Sequence, residues 1–329
     1  MNILSHMNTQ SKSKPITGIK ALTVICAIAL AAAGCDAQVN PQTTVPVSVA
    51  QPDKFSNYWY AGEAELNRYE LTQMRYGEKR KGEAVLIFVT ENFLPERQVK
   101  DESASAESMT VLKLNMLKKF ETGIYDYSIM TSVFTPIDYR KQPYTLKVSF
   151  SSQDWCGQVF GQLNLRNRTL EYQWRSYFES EGDNEGTVEA TYFEEDIWTR
   201  IRLEPQTLPL GEVELIPSQE YLRLNHRPFK AYKAKGDLSL LVTDNKTGKE
   251  YYVYRLHFPE LARTVTWRCE STFPYSIVSM EEEIKNRDGQ IETTAVKLRE
   301  TIKSSYWNLN GTEHSRMRDS LGVKFGMQE

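Results

Sequence analysis

Few residues in this sequence are placed for acid–base or metal chemistry. The run Glu281-Glu282-Glu283 offers adjacent carboxylates of the kind that act as general acid and base. Alternate residues of a strand point to opposite faces of a sheet, so the run instead favours a solvated strand edge that discourages strand addition. His226, His257 and His314 lie far apart in the chain. These positions predict no catalytic residue and no metal site.

Known catalytic and cofactor motifs are also missing from the sequence. It contains no G-x-S-x-G, H-E-x-x-H or C-x-x-C pattern and no glycine loop of the kind that holds phosphates or dinucleotides. We therefore expect a protein that has no cofactor and is not an enzyme. The rival interpretation is a hydrolase of envelope material, with carboxylates near Trp155 or Trp174 as acid and base. It requires two carboxyl groups about 5–9.5 Å apart in one cleft.

The N-terminus has the composition of an export signal. Lys12, Lys14 and Lys20 precede the apolar run Ala21–Ala33. At about 1.5 Å per residue this run rises about 20 Å, which is too short to cross a hydrocarbon core of about 30 Å. A basic segment followed by a short apolar one is typical of a signal peptide, which we assign to residues 1–34.

The segment Ala32-Ala33-Gly34-Cys35 resembles the lipobox of bacterial lipoproteins, in which cleavage occurs before a diacylglycerol-modified cysteine. The resemblance implies lipid attachment at Cys35 and a periplasm-facing protein anchored in a membrane of the cell envelope. Asp36 resembles an inner-membrane retention signal, with the outer membrane as the alternative. An ordinary secretory signal with a chance cysteine is the other reading. Residues 35–54, rich in proline and polar side chains, are expected to form the lipidated cysteine and a flexible tether.

Cys156 and Cys269 are the thiols that remain after export and lipidation. An oxidising compartment favours one disulfide between them. Closing so long a loop would stabilise the fold by about 4–5 kcal/mol in the chain-entropy model. The alternative is two separate buried thiols that pack as small hydrophobic side chains.

Composition excludes several classes of protein. The 329 residues include 40 Lys and Arg against 43 Asp and Glu, a formal charge of -3. This balance argues against a nucleic-acid partner, because binding phosphates requires an excess of basic charge. Hydrophobic residues make up 40% of the chain, which is typical of a globular body and not of a disordered or polytopic membrane protein.

Strand patterns fill most of the body, which we place at residues 55–310. Ala84–Val89 is apolar enough for a central strand, and Tyr144–Phe150 alternates apolar and polar residues. Turn-forming residues at Asn167-Arg168 and at Arg287-Asp288-Gly289 separate paired strand-like segments and predict hairpins. The expected fold is mainly β, a large curved antiparallel sheet or half-barrel of long strands.

Two boundaries inside this organisation are less regular. Several prolines follow residue 205, so a division of the body there is the alternative to one continuous sheet. Residues 311–329 are polar and are expected to form a C-terminal tail.

One segment has helical periodicity. Apolar residues recur every four positions over Phe193–Leu203, with acidic side chains at its start and basic ones at its end. This arrangement suits the helix dipole and predicts one amphipathic helix that covers a concave sheet face. An apolar hollow for an amphipathic ligand would then lie between helix and sheet, with ordinary sheet core as the alternative. The apolar side chains assigned to this ligand face are Ile197, Trp198, Ile201, Trp174 and Phe178.

Several short stretches resemble a family of uncharacterised bacterial envelope lipoproteins, and the resemblance covers most of the chain from Trp59 to Trp307. Members are sometimes labelled septum formation inhibitor Maf, but the S-x-S-P-R-R-type motif of true Maf pyrophosphatases is absent here. The resemblance implies an envelope lipoprotein of no stated activity. The stretches that carry it are Tyr58-Trp59-Tyr60-Ala61-Gly62, Arg75-Tyr76-Gly77-Glu78, Phe93-Leu94-Pro95-Glu96, Asp154-Trp155-Cys156-Gly157, Ser176-Tyr177-Phe178-Glu179-Ser180-Glu181-Gly182 and Asp196-Ile197-Trp198-Thr199.

A second resemblance is architectural. Long meandering strands, one covering helix and a lipid anchor are similar to the half-barrels that carry lipoproteins and lipids across the periplasm. The sequence therefore predicts a non-enzymatic, membrane-anchored envelope lipoprotein that binds an amphipathic ligand (a lipid or lipoprotein) or a protein partner on a concave sheet face. The alternative is a structural or assembly protein without a pocket, whose exposed sheet edges form its interface.

Overall fold

The computed structural model describes residues 51–103 and 105–323. The signal peptide, the lipid attachment at Cys35, Asp36 and most of the tether, all expected from the sequence, lie outside the described residues. The described residues belong to one compact unit.

A single open sheet of sixteen strands dominates the described residues. Neighbouring strands are antiparallel except for a short parallel pair formed by β10 and β11. The order across the sheet is β10-β11-β12-β13-β14-β15-β16-β1-β2-β4-β5-β6-β7-β8-β9, with β3 beside β2. The strands are β1 Ala64–Arg75, β2 Glu78–Leu94, β3 Val99–Lys100, β4 Met109–Thr122, β5 Tyr125–Pro136, β6 Lys147–Asp154, β7 Gly157–Arg166, β8 Thr169–Ser176, β9 Asn184–Glu189, β10 Tyr192–Phe193, β11 Gly211–Ile216, β12 Tyr232–Thr243, β13 Glu250–Phe258, β14 Arg263–Glu270, β15 Ile277–Lys285 and β16 Ile291–Ser304.

The predicted mainly β fold is confirmed, and its hairpins form where the turn residues stand. Asn167 and Arg168 adopt φ of 47° and 67°, the left-handed conformation that a two-residue turn requires between antiparallel strands. They join β7 to β8, whose residues pair from Arg166 and Thr169 outward. The long hairpin of β15 and β16 likewise turns through Gly289, at φ 80°.

Of the two alternatives for the body, the structure has the one continuous sheet. Strands before and after this position belong to one sheet, because β16 pairs with β1 along its length, from Ala64 opposite Ser304 to Thr72 opposite Ala295. These backbone hydrogen bonds join the first and last parts of the chain at the middle of the sheet. A separate C-terminal domain would need its own core, whereas here one core cluster includes side chains from both parts.

Four α-helices occur in the described residues: α1 Pro52–Trp59, α2 Asp196–Leu203, α3 Gln219–Leu224 and α4 Met317–Leu321. The predicted helix is confirmed as α2, although it begins three residues later than expected. The sequence did not indicate the other three. Helix α1 begins inside the expected tether because Phe55 and Trp59, one turn apart, are buried in the core. Helix α4 lies in the expected polar tail and buries Leu321.

The sheet curves around α2. Trp198 on this helix meets Trp267 of β14, with ring centroids 6.3 Å apart, and the next residue, Thr199, contacts Thr135 of β5 at 2.6 Å between hydroxyl oxygens. In a flat sheet β14 and β5 would lie about 29 Å apart, at about 4.8 Å per strand. A helix is only about 10–12 Å wide with its side chains. The sheet must therefore wrap around α2, as the predicted curved sheet requires.

The predicted disulfide is not formed. Both cysteines are free thiols, with Cys156 exposed and Cys269 buried. Cys156 lies in the turn between β6 and β7, where its backbone N–H donates to Asp154 Oδ1 at 2.7 Å. Cys269 faces the core from β14, and burial raises the pKa of its thiol to about 12. The alternative, two separate buried thiols that pack as small hydrophobic side chains, therefore holds for Cys269 and not for Cys156, which faces solvent.

Candidate functional site

Helix α2 is surrounded by protein, and its charged side chains are buried together with its apolar ones. Arg202 donates to both carboxylate oxygens of Glu65 on β1, with Nη2 2.6 Å from Oε2. Arg200 Nε lies 3.0 Å from Asp196 Oδ1, one turn earlier. The charged side of α2 is therefore buried together with its apolar side, with Glu65 of the sheet as the ionic partner of Arg202 and Asp196 of the helix itself as that of Arg200.

The predicted apolar ligand face does not form one hollow. Ile197 and Ile201 are fully packed, at 0% and 1% exposure. Phe178 lies under the Arg223 guanidinium, 3.8 Å from the ring centroid, and Trp174 stacks on Phe150 at 5.8 Å. Trp198 and Trp174 border two different cavities. The curvature of the sheet brings core side chains into the space that an apolar ligand would need.

The cavity beside Trp198, here called the interior cavity, has a volume of about 120 Å³. One water needs about 10–15 Å³ of such volume, so this space admits several waters or one small organic molecule. Tyr76, 59% exposed, stands at its mouth. The side chains that line it come from five strands, from helices α2 and α3 and from residues next to these elements: Gln73, Met74, Arg75, Tyr76, Met116, Lys118, Glu194, Glu195, Trp198, Ser218, Glu220, Tyr221, Leu224, Asn225, Arg263, Trp267, Met280, Glu282, Ile284, Glu292 and Thr294.

Arg263 organises one wall of the interior cavity. Its Nη2 donates to Glu194 Oε1 at 2.7 Å and its Nε to Glu282 Oε1 at 2.5 Å. The guanidinium also lies 4.1 Å from the centroid of the Tyr221 ring. Lys118 Nζ donates to Glu220 Oε2 at 2.8 Å nearby. Most of the charges in this wall are therefore paired, which is what makes their burial tolerable.

Four residues of the cavity lining each carry a buried polar atom that has no hydrogen-bond partner among the described residues: Gln73 Oε1, Arg75 Nε, Glu195 Oε2 and Trp267 Nε1. Buried polar atoms in folded proteins are almost always paired with protein, water or ligand. An unpaired one costs about 1–3 kcal/mol. Unpaired polar atoms on four residues around one cavity therefore indicate that a polar molecule binds there.

Glu195 is the most unusual of these residues. It precedes α2, and its Oε1 accepts the backbone N–H of Gln219 at 2.7 Å. Burial raises the pKa of Glu195 to about 8, and the neighbouring Glu194 and Asp196 carboxylates add to the shift. At pH 7 this residue of the cavity lining is therefore mainly the neutral carboxylic acid.

The sequence interpretation missed this cavity for two local reasons. The carboxylates before α2 look like ordinary first-turn acids of a helix. Glu282 was interpreted as part of a solvated strand edge, which is wrong, since β15 lies between β14 and β16. The alternation itself holds: Glu281 and Glu283 are exposed, while Glu282 faces inward beside Met280 and Ile284. The two-residue alternation along β15 was the sequence signal that could have separated Glu282 from its two exposed neighbours.

The cavity beside Trp174 has a volume of about 270 Å³. The carboxylate nearest the indole is Glu181, which accepts from Trp174 Nε1 at 3.3 Å and Ser176 Oγ at 2.8 Å. Its other oxygen accepts from Arg223 Nη1 and lies 3.1 Å from His226 Nδ1. Both oxygens of Glu181 are therefore occupied by the protein itself.

An apolar groove of about 300 Å³ lies on the opposite face of the sheet. Glu65 points inward to α2, so its neighbour Leu66 points outward into this groove. Helix α4 forms the other wall, where Leu321 is buried and Met317 is 49% exposed. This groove presents apolar side chains on the outer face of the sheet.

Residues 51–103 and 105–323 contain no group of three or more His, Cys, Asp or Glu side chains arranged to hold a metal ion. Within the same ranges, no helix has the length and apolar character needed to span a membrane. The chain matches no family model, no curated protein and no solved structure.

Proposed function

We propose that this protein is a periplasm-facing envelope lipoprotein, anchored through Cys35, whose folded body binds a small amphipathic ligand in the interior cavity. The observation that carries the proposal is that four residues lining one space each carry an unpartnered buried polar atom. Met116, Met280 and Ile284 supply apolar surface to the same cavity. A ligand with both polar and apolar parts complements such a lining.

The proposal is for binding and not for catalysis. Glu194 and Glu282 are engaged with Arg263, and Glu220 is engaged with Lys118. A carboxylate-based hydrolase needs two carboxyl groups that are both available to substrate and water. Glu292 accepts from Asn286 Nδ2, and Glu195 is the glutamate of this lining that has a buried oxygen without a partner.

Native mass spectrometry of the protein purified in detergent from bacterial membranes, with organic extraction in parallel, tests the proposal. We expect a small molecule to co-purify in about equimolar amount. Asn225→Trp, at the mouth of the cavity, should remove it, whereas Asn245→Trp, in the exposed turn after β12, should not. Equal ligand content in wild type and Asn225→Trp would place the ligand elsewhere. Protein without ligand in every sample would favour the assembly role.

The anchor is tested separately by cell fractionation. Cys35→Ser removes the thiol to which the lipid would be attached. We expect the wild type in the membrane fraction and the variant released from it, because the acyl chains supply the membrane affinity. Membrane attachment that survives the substitution would contradict the lipoprotein assignment and leave the cavity proposal intact.

A further inference from the structure

The unpartnered atoms of the interior cavity also restrict the chemistry of its ligand, and the following step rests on the function proposed above. We propose that the ligand carries an ammonium group, which binds Glu195 Oε2 and takes the place of the carboxyl proton. The cavity is then a cation site in which ligand binding is coupled to proton release.

The position of Glu195 is the first argument. The residue lines the cavity and is 3% exposed, its Oε1 accepts the Gln219 N–H, and its Oε2 has no hydrogen-bond partner. Gln73 Oε1 is a second unpaired acceptor in the same lining, on a residue that is 4% exposed. Two acceptors around one space suit an ammonium group, which has only donors.

The charge of the lining is the second argument. Five glutamates and three basic side chains border the cavity. Even with Glu195 neutral, acidic groups outnumber basic ones, and a negative field concentrates cations. The indole rings of Trp198 and Trp267 line the same space, and indole is the aromatic ring that attracts cations most strongly. A carboxylate or phosphate ligand would meet repulsion from the same groups.

The exchange leaves the charge of the buried space unchanged. Before binding, Glu195 is a neutral acid and the ligand ammonium is in water. On binding, the O–H bond of Glu195 breaks, its proton passes to solvent, and the carboxylate pairs with the ammonium by a charge-assisted hydrogen bond. Burying a lone cation would be costly, whereas this exchange buries a neutral pair in place of a neutral acid.

Arg75 Nε and Trp267 Nε1 remain available as donors after this exchange. They suit an oxygen acceptor on the same ligand, so the class we infer is a small amine that also carries a hydroxyl or carbonyl group. The charged and titratable groups that surround Glu195 come from every neighbouring element: Glu194, Asp196, Glu220, Tyr221, Arg263, Glu282, Arg75, Lys118 and Glu292.

Isothermal titration calorimetry with n-butylammonium, n-butanol and butyrate tests the inference, because the three probes differ mainly in charge. We expect n-butylammonium alone to bind. In buffers of different ionisation enthalpy at pH 7, its binding should release close to one proton. At pH 9 the release should fall toward zero and affinity should rise, since Glu195 is then already ionised while an alkylammonium remains protonated.

Two substitutions test whether Glu195 is the group that binds the ammonium and releases the proton. Glu195→Gln should abolish the proton release and weaken n-butylammonium binding by about tenfold or more, the usual effect of losing a hydrogen bond to a charged group. Glu281→Gln, the same chemical change on the exposed side of β15, should leave both unchanged. If Glu195→Gln does not fold, the wild-type dependence of proton release on pH decides the question.

Three outcomes overturn the inference: no n-butylammonium binding, equal binding of n-butanol or butyrate, or proton release that persists in Glu195→Gln. These outcomes can be told apart from a failure of the proposed function. A neutral or anionic molecule that co-purifies with wild type and is lost in Asn225→Trp would refute the proposal of an ammonium ligand and would support ligand binding in the interior cavity. Protein without any ligand in the mass spectra would refute both.

Discussion

Arg202 Nη2 lies 2.6 Å from Glu65 Oε2, and both side chains are fully excluded from solvent. The contact joins α2 to β1 inside the curved sheet. Tyr58 and Asn67 donate to the same carboxylate. Burial alone would raise the pKa of Glu65, but the Arg202 guanidinium and these hydrogen bonds hold it below its ordinary value. The helix is therefore fixed in the sheet by a charged pair as well as by apolar packing.

Arg202→Met leaves the Glu65 carboxylate buried without its ionic partner. We expect the free energy of unfolding to fall by about 3–5 kcal/mol, because an uncompensated buried charge is costly. Adding Glu65→Leu should recover most of this loss, since apolar side chains of similar volume often replace a buried pair at little cost. Urea unfolding of the single and double variants measures both effects. A double variant less stable than Arg202→Met would contradict this account.

The raised pKa of Glu195 makes stability fall as pH increases. An unfolded chain ionises this residue at the ordinary pKa of Glu, whereas the folded protein keeps the proton up to about pH 8. Between these values the folded state binds more protons, so its stability decreases with rising pH, by up to about 1.4 kcal/mol per pH unit. Glu195→Gln cannot titrate, so its stability relative to wild type should rise from pH 5 to pH 8. Urea unfolding at several pH values measures this difference.

The matched control for this pH series is Glu281→Gln. Glu281 is exposed on β15, and its substitution should leave a profile parallel to that of wild type. A parallel profile for Glu195→Gln as well would show that Glu195 is ionised in the folded protein.

The two thiols should differ in reactivity. Cys156 is exposed in a turn, and Cys269 is 2% exposed with a thiol pKa raised by burial. A maleimide should label Cys156 in the native protein and Cys269 only after unfolding, because the thiolate is the reactive form and needs access. Peptide mapping by mass spectrometry identifies each site. Recovery of a disulfide-linked peptide pair from the native protein would contradict the free thiols.

Gly161 is required where β7 passes Gln219. A Cβ at this position would lie 2.3 Å from Gln219 Oε1 and 2.7 Å from the Trp174 ring. We expect Gly161→Ala to destabilise the protein by about 1–3 kcal/mol, the typical cost of overpacking. Gly311→Ala is the control, since the atoms nearest its Cβ are the carboxyl atoms of Glu313, at the far end of a side chain that is 71% exposed and can turn away. Equal thermal stability of the two variants would show that the side chains around Gln219 can move to accommodate the added methyl group.

Much of the secondary structure could be predicted from local sequence. The hairpin through Asn167 and Arg168 forms because both residues tolerate a left-handed backbone, and the α2 segment is helical because its period and end charges are helical. Such features depend on neighbours in the chain. Helices α1 and α4 were missed because they are short and are stabilised by burying Phe55, Trp59 and Leu321 against distant strands.

The site was decided by tertiary structure. Alternation states that Glu282 and Glu281 face opposite ways, but not which of them faces the core; the pairing of β15 with β14 and β16 decides that. The neutral state of Glu195 depends on burial by residues far away in the sequence. The sequence by itself determined strands, turns and one helix, because these reflect local backbone preferences. The cavity, the unpaired polar atoms of its lining residues and the neutral state of Glu195 arise only when the curved sheet excludes water from these residues.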